Sequence, residues 1–78
     1  MEIGQVVFSK CGRDKGQVFV VISVMNDYVY LVDGQLRLIN KPKKKKAIHI
    51  QPTNIVVCVK KAGGLTDADI YRKLLPFK

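Results

Sequence analysis

The sequence predicts a small, mostly β domain: a closed or half-open β-barrel of short strands with one short α-helix at its C-terminal end. Three observations carry that expectation. β-prone stretches recur at close intervals, from QVVFS at 5–9 through QVFVVISVMN and YVYLVD to NIVVCVKK at 54–61. Turn signals separate them: Gly12 and Gly16, Asn26-Asp27, Asp33-Gly34 and Pro52. The last segment, LTDADIYRKLLPFK, shifts to a helical period. Seventy-eight residues suffice for one domain, 1–78, with no visible repeat.

Taken in order, QVVFS forms the first strand. The cluster KCGRDKGQ follows as a turn in which Gly12 and Gly16 occupy positions of positive φ, and Asp14 pairs locally with Arg13 or Lys15. In QVFVVISVMN, Val18, Val20, Ile22 and Val24 fall on one face, and Phe19, Val21, Ser23 and Met25 on the other. A strand apolar on both faces is covered on both for part of its length. Asn26-Asp27 is a tight hairpin into YVYLVD. Asp33-Gly34 turns the chain into QLRLIN, an amphipathic strand with Leu36 and Leu38 inward and Arg37 outward. Residues 40–46 read as a loop, because Pro42 lacks an N–H and adjacent lysines repel. AIHIQ resumes strand character, with Ile48 and Ile50 on one face and Ala47 and His49 on the other, until Pro52 ends it. NIVVCVKK is a further strand, and Ala62, Gly63 and Gly64 form a joint. A helix spans about 67–75, capped by Thr66 or Asp67, with Ile70, Leu74, Tyr71 and Leu75 along its apolar stripe and Pro76 as its stop.

Charge narrows the function. The net charge is +8 with a pI near 9.8, and its distribution is one-sided. From Gly34 to Thr66 there is no Asp or Glu, and that span holds Arg37, Lys41, Lys43, Lys44, Lys45, Lys46, Lys60 and Lys61. The remainder sums to zero, so this span carries the whole excess. A field of one sign attracts polyanions by steering and counterion release, whereas a solvated face kept only for solubility mixes signs. The lysine run KPKKKK is pinned between strands, and lysine without arginine forks suits phosphate contact rather than base reading. Lys10, Arg13 and Lys15 add a second cationic group at the glycine turn. His49, and less strongly Tyr28 and Tyr30, offer rings for stacking on bases.

Other classes recede. One histidine and scattered acids make no catalytic constellation, and CGRDKG lacks phosphate-loop spacing, so no enzyme, cofactor or small-molecule substrate is expected. Cys11 and Cys58 form no CxxC pair, so no metal is expected, and Cys58 reads as a small packed hydrophobe. MEIGQVV lacks the features of a signal peptide, and no apolar run reaches membrane-spanning length; the expected compartment is the cytoplasm. The basic segment also lacks an amphipathic helix with which to lie on a membrane.

The stretch GQVVFSKCGRDKGQVFVVISVMNDYVYLVDG resembles the KOW motif, with Gly12, Asp14, Lys15 and Gly16 where that motif keeps its turn. The continuation LRLINKPKKKKAIHIQPT is similar to large-subunit ribosomal proteins of the archaeal and eukaryotic L14e family, in which a KPK run precedes a strand and a histidine. The likeness covers about residues 3–55 and extends to compact stand-alone bacterial KOW-domain proteins. It implies an SH3-like barrel that binds ribosomal RNA of the large subunit, as a ribosomal protein or a ribosome-associated factor. The expected RNA contacts are Lys10, Arg13, Lys15, Arg37, Lys41, Lys43, Lys44, Lys45, Lys46 and His49. The competing expectation is a protein-interaction module of the transcription elongation or antitermination type, meeting its partner through Tyr71, Leu75 and Phe77.

Overall fold

The computed structural model describes residues 1–59 and 66–78. Among these residues, five strands, β1 (Gln5–Ser9), β2 (Val18–Met25), β3 (Tyr28–Val32), β4 (Lys43–Lys46) and β5 (Ile50–Val56), precede one helix, α1 (Asp67–Leu74). They form one antiparallel sheet in the order β4-β3-β2-β1-β5. A single 3₁₀ turn, Ala47–His49, carries the chain from β4 at one edge to β5 at the other. In a flat sheet those edges would lie about 19 Å apart, and one 3₁₀ turn spans only about 6–8 Å. The sheet therefore curls, and the mostly β, barrel-like class expected from the sequence holds.

Curling gives the sheet two apolar faces. Val7, Phe19, Val21, Val29, Leu31 and Ile50 fill the inside, and Val6, Val18, Val20 and Val32 lie outside beneath Ile70 and Leu74 of α1. The two-sided reading of β2 is thus correct: its first four residues are all buried, alternately against the two clusters. A bulge at Ile22 shifts the register between Val21 and Ser23 and strengthens the local coiling of the β2–β3 hairpin. Asn26, at φ 54°, makes the hairpin turn.

Four elements differ from the sequence reading. QLRLIN is not a strand. Asp33 Oδ1 accepts hydrogen bonds from the backbone N–H groups of Gln35, Leu36 and Arg37 at 2.8–2.9 Å, so donors that a ladder would need are already used. Leu36 is consequently 70% exposed. Lys43–Lys46 is not a loop but an edge strand, paired with β3 in the register Tyr28↔Lys46, Val29↔Lys45, Tyr30↔Lys44, Leu31↔Lys43. AIH is a 3₁₀ turn, which leaves Ile48 73% exposed while Ile50 enters the core. Pro52 does not end β5: it sits opposite Val7 on an edge strand, where its missing N–H costs no ladder bond. Beyond β5, Val57 still donates its N–H to Gly4 and packs with Val59 on the outer cluster, whereas Cys58 is exposed rather than packed. The joint at Ala62–Gly64 lies outside the described residues.

The helix is capped as its sequence suggests, by Thr66, whose hydroxyl accepts from the Asp69 N–H in a reciprocal capping box. Asp67 is left to accept the Ile39 N–H at 2.7 Å, tying the 33–41 segment to α1. Leu75 falls outside the buried stripe and opens a 3₁₀ turn, Leu75–Phe77, that contains Pro76. The helix packs against the backbone of Gly34, at φ 77°: a Cβ there would collide with the Asp67 carbonyl oxygen and the Tyr71 backbone nitrogen. Gly34→Ala is expected to destabilise the fold by about 2 kcal/mol, from the left-handed backbone and the displaced helix together. Thermal unfolding should show it as a Tm lowered by roughly 8–16 °C; an unchanged Tm would mean that the helix does not rest there.

Candidate nucleic-acid interface

The register of β4 sorts its four lysines. Directly opposed residues share a face, so Lys43 and Lys45 join Leu31 and Val29 on the inner side of the sheet, and Lys44 and Lys46 join Tyr30 and Tyr28 on the outer side. Exposure follows the same alternation.

The inner pair is turned toward Asp14. Lys45 Nζ donates to Asp14 Oδ1 at 2.8 Å and to the Cys11 carbonyl at 2.9 Å. Lys43 Nζ meets Oδ2 at 2.9 Å in an ion pair whose angle falls short of a hydrogen bond. Ser9 donates its hydroxyl to Oδ1 at 2.8 Å. Asp14 is only 8% exposed, and the side chain of Lys45 only 10%. Burial by itself raises the Asp14 pKa, but the hydrogen bonds from Lys45 and Ser9 and the close ion pair with Lys43 outweigh it and hold the carboxyl well below its usual 3.8. The glycine turn is thereby clipped to the edge strand. Asp14 does not pair with its neighbours Arg13 and Lys15, as its sequence position suggests; its partners lie some thirty residues away. Gly12 and Gly16 do hold the turn at positive φ, 86° and 87°.

The outer pair is free of that clip. Lys44 and Lys46 are exposed, and Lys44 Nζ stands 4.4 Å from the centroid of the Tyr28 ring. Ser23 and Met25 of β2, opposite Tyr30 and Tyr28, continue the same surface. Beside Tyr28 is a hollow of about 290 Å³ lined by Asp27, Tyr28, Lys46, Ala47 and Ile48. The exposed Ile48, unexpected from the sequence, is part of this wall.

The other expected contacts separate. Lys10, Arg13 and Lys15 are exposed on the glycine turn, and Arg37 and Lys41 are exposed in the 33–42 segment. Arg13, Arg37 and Lys43 line one cleft. His49 is half-buried in the 3₁₀ turn, where its carbonyl accepts from the Lys10 N–H at 2.9 Å. Lys60 and Lys61 lie outside the described residues. Sequence reasoning missed Asp14 as the anchor of the lysine strand. No local signal betrays it, since one acid among three cations looks like a surface residue.

Fold and surface together define a class: a small, strongly cationic β domain that displays lysines beside aromatic rings on the outer face of a curled sheet. No family model matches the chain. Over 73 residues it is 30% identical to the large ribosomal subunit protein eL14 of Pyrobaculum arsenaticum, covering 92% of this chain and 69% of that protein. Over 75 residues it is 25% identical to eL14 of Saccharolobus solfataricus, covering 95% of this chain and 76% of that one. The chain belongs to the eL14 family. Among the described residues, no helix is long and apolar enough to cross a membrane.

Proposed function

We propose that the chain acts as one domain that binds ribosomal RNA of the large ribosomal subunit, with no catalytic role. The observation that carries this reading is the alternation of β4, which aims Lys44 and Lys46 outward beside Tyr28 and Tyr30 in a member of the eL14 family. Lysines at strand spacing track phosphates about one residue pair apart, and the rings provide stacking surfaces for unpaired bases. Lys10, Arg13, Lys15, Arg37 and Lys41 supply further phosphate contacts from the turn and the 33–42 segment, with His49 beside them. Lys43 and Lys45 act on RNA indirectly, by holding the strand whose other lysines do the binding. A ribosomal protein of this kind works in the cytoplasm.

Sedimentation of cell extracts through a sucrose gradient tests the reading. The expected result is co-migration with the large subunit that survives a moderate salt wash. A chain that stays at the top of the gradient at low salt, or whose partner survives nuclease and depends on Tyr71 and Leu75, would instead support a protein-interaction module.

A further inference from the structure

Two clefts adjoin across Leu36. One, of about 300 Å³, is lined by Arg13, Asp14, Gln17, Phe19, Leu36, Arg37 and Lys43. The other, of about 340 Å³, is lined by Gly16, Gln17, Val18, Asp33, Gln35, Leu36, Phe77 and Lys78. They share Gln17 and Leu36, yet their chemistry differs. The first brings three cations from three separate parts of the chain to one place: the glycine turn, the Asp33-held segment and the edge strand. It retains a net charge of +2 after Asp14 is set against them, and Asp14 is further neutralised by Lys45 from behind. The second is lined by the apolar Val18, Leu36 and Phe77 and by the polar Gln17, Gln35, Asp33 and Lys78, the Lys78 ammonium donating to Gln35 Oε1 at 3.3 Å. Each has the dimensions of a small-ligand site.

We propose that this double cleft takes one unstacked nucleotide of RNA, its phosphate between Arg13 and Arg37 over the Lys43–Asp14 ion pair and its base against Leu36 and Phe77. The occupant follows from the juxtaposition. A nucleotide carries an anion and an apolar ring a few ångströms apart, and a guanidinium pair suits phosphate while an apolar slot with amides at its edge suits a base face and its polar rim. The arrangement also explains an otherwise costly feature, a leucine 70% exposed on a segment whose backbone is fixed by three hydrogen bonds to Asp33. The cleft is built from other residues than the Tyr28 surface, so it would extract a bulged or looped nucleotide while the lysine strand follows the backbone. This deepens the RNA-binding reading and rests on it.

The test is an amide-resolved NMR titration of the full chain with adenosine 5′-monophosphate, adenosine and inorganic phosphate, at low salt. The monophosphate should shift the amides of Gly16, Gln17, Leu36 and Arg37 and bind at least threefold more tightly than phosphate. Leu36→Ala, at an exposed position, should remove that advantage and leave phosphate binding intact. The double variant Arg13→Gln/Arg37→Gln should lose both with an unchanged Tm. Equal binding of phosphate and monophosphate, or shifts confined to Tyr28, Tyr30 and Lys44, would overturn the proposal. If instead the titration behaves as expected but the chain fails to bind long RNA, the cleft stands as a nucleotide site and the ribosomal reading falls.

Discussion

Replacing Asp14 with alanine lowers the stability of the fold by about 3 kcal/mol, because it leaves the Lys45 ammonium desolvated and without its carboxylate. For a domain of this size the Tm should fall by roughly 12–24 °C. Lys45 is mostly buried, with Asp14 Oδ1 and the Cys11 carbonyl as its partners. The pH dependence follows from the same contacts. The folded carboxyl titrates below its ordinary 3.8, so as the pH falls past that value the unfolded chain takes up a proton that the folded chain refuses. The contribution of Asp14 is therefore complete above about pH 5 and drains away as the pH drops toward the folded value. Urea unfolding of the parent chain and of Asp14→Asn, compared between about pH 6 and pH 2, should show a stability difference that is largest at the upper end and shrinks on acidification. A difference that is small at neutral pH, or that grows on acidification, would mean that the clip contributes little.

The double variant Lys44→Gln/Lys46→Gln loses RNA affinity while keeping its fold. Removing two phosphate contacts lowers binding at 0.1 M salt by roughly 25- to 60-fold and reduces the slope of log K against log salt by about 1.4–1.8. The matched control is Lys43→Gln/Lys45→Gln, one residue over on the same strand. Its lysines face Asp14, so it should lower the Tm and change the salt slope little once binding is measured well below the melting temperature. Salt-dependent binding to a large-subunit RNA fragment, with circular dichroism melts of both variants, separates the two. If both doubles reduced the slope equally and neither altered the Tm, the alternation of β4 would have no functional meaning and the lysine run would act as a diffuse charge.

Much of the architecture is local and was therefore legible. The glycines of the 10–17 turn, the Asn26-Asp27 hairpin, the two-faced β2 and the Thr66-capped helix each follow from backbone freedom, periodicity or capping within a few residues. The misreadings share another cause. QLRLIN alternates like a strand, but the buried Asp33 carboxylate takes three of its N–H groups before a neighbouring strand can. KKKK looks like a self-repelling loop, but Asp14 neutralises its inner half and β3 supplies the ladder. In each case an acid already visible in the sequence acts through a geometry that is not.

For the candidate interface the division is the same. Composition and spacing, which need no fold, specify how much positive charge the chain carries, that it lies in one acid-free span, and that rings and glycines accompany it. Which lysines face outward depends instead on how the strands pair. A strand alternates its side chains with a period of two, and the register against β3 sets the phase of that alternation. The register depends on Val29 and Leu31 entering the core and on Asp14 reaching across from the glycine turn. Four identical letters thus divide into two that hold the protein together and two that are free to meet a phosphate.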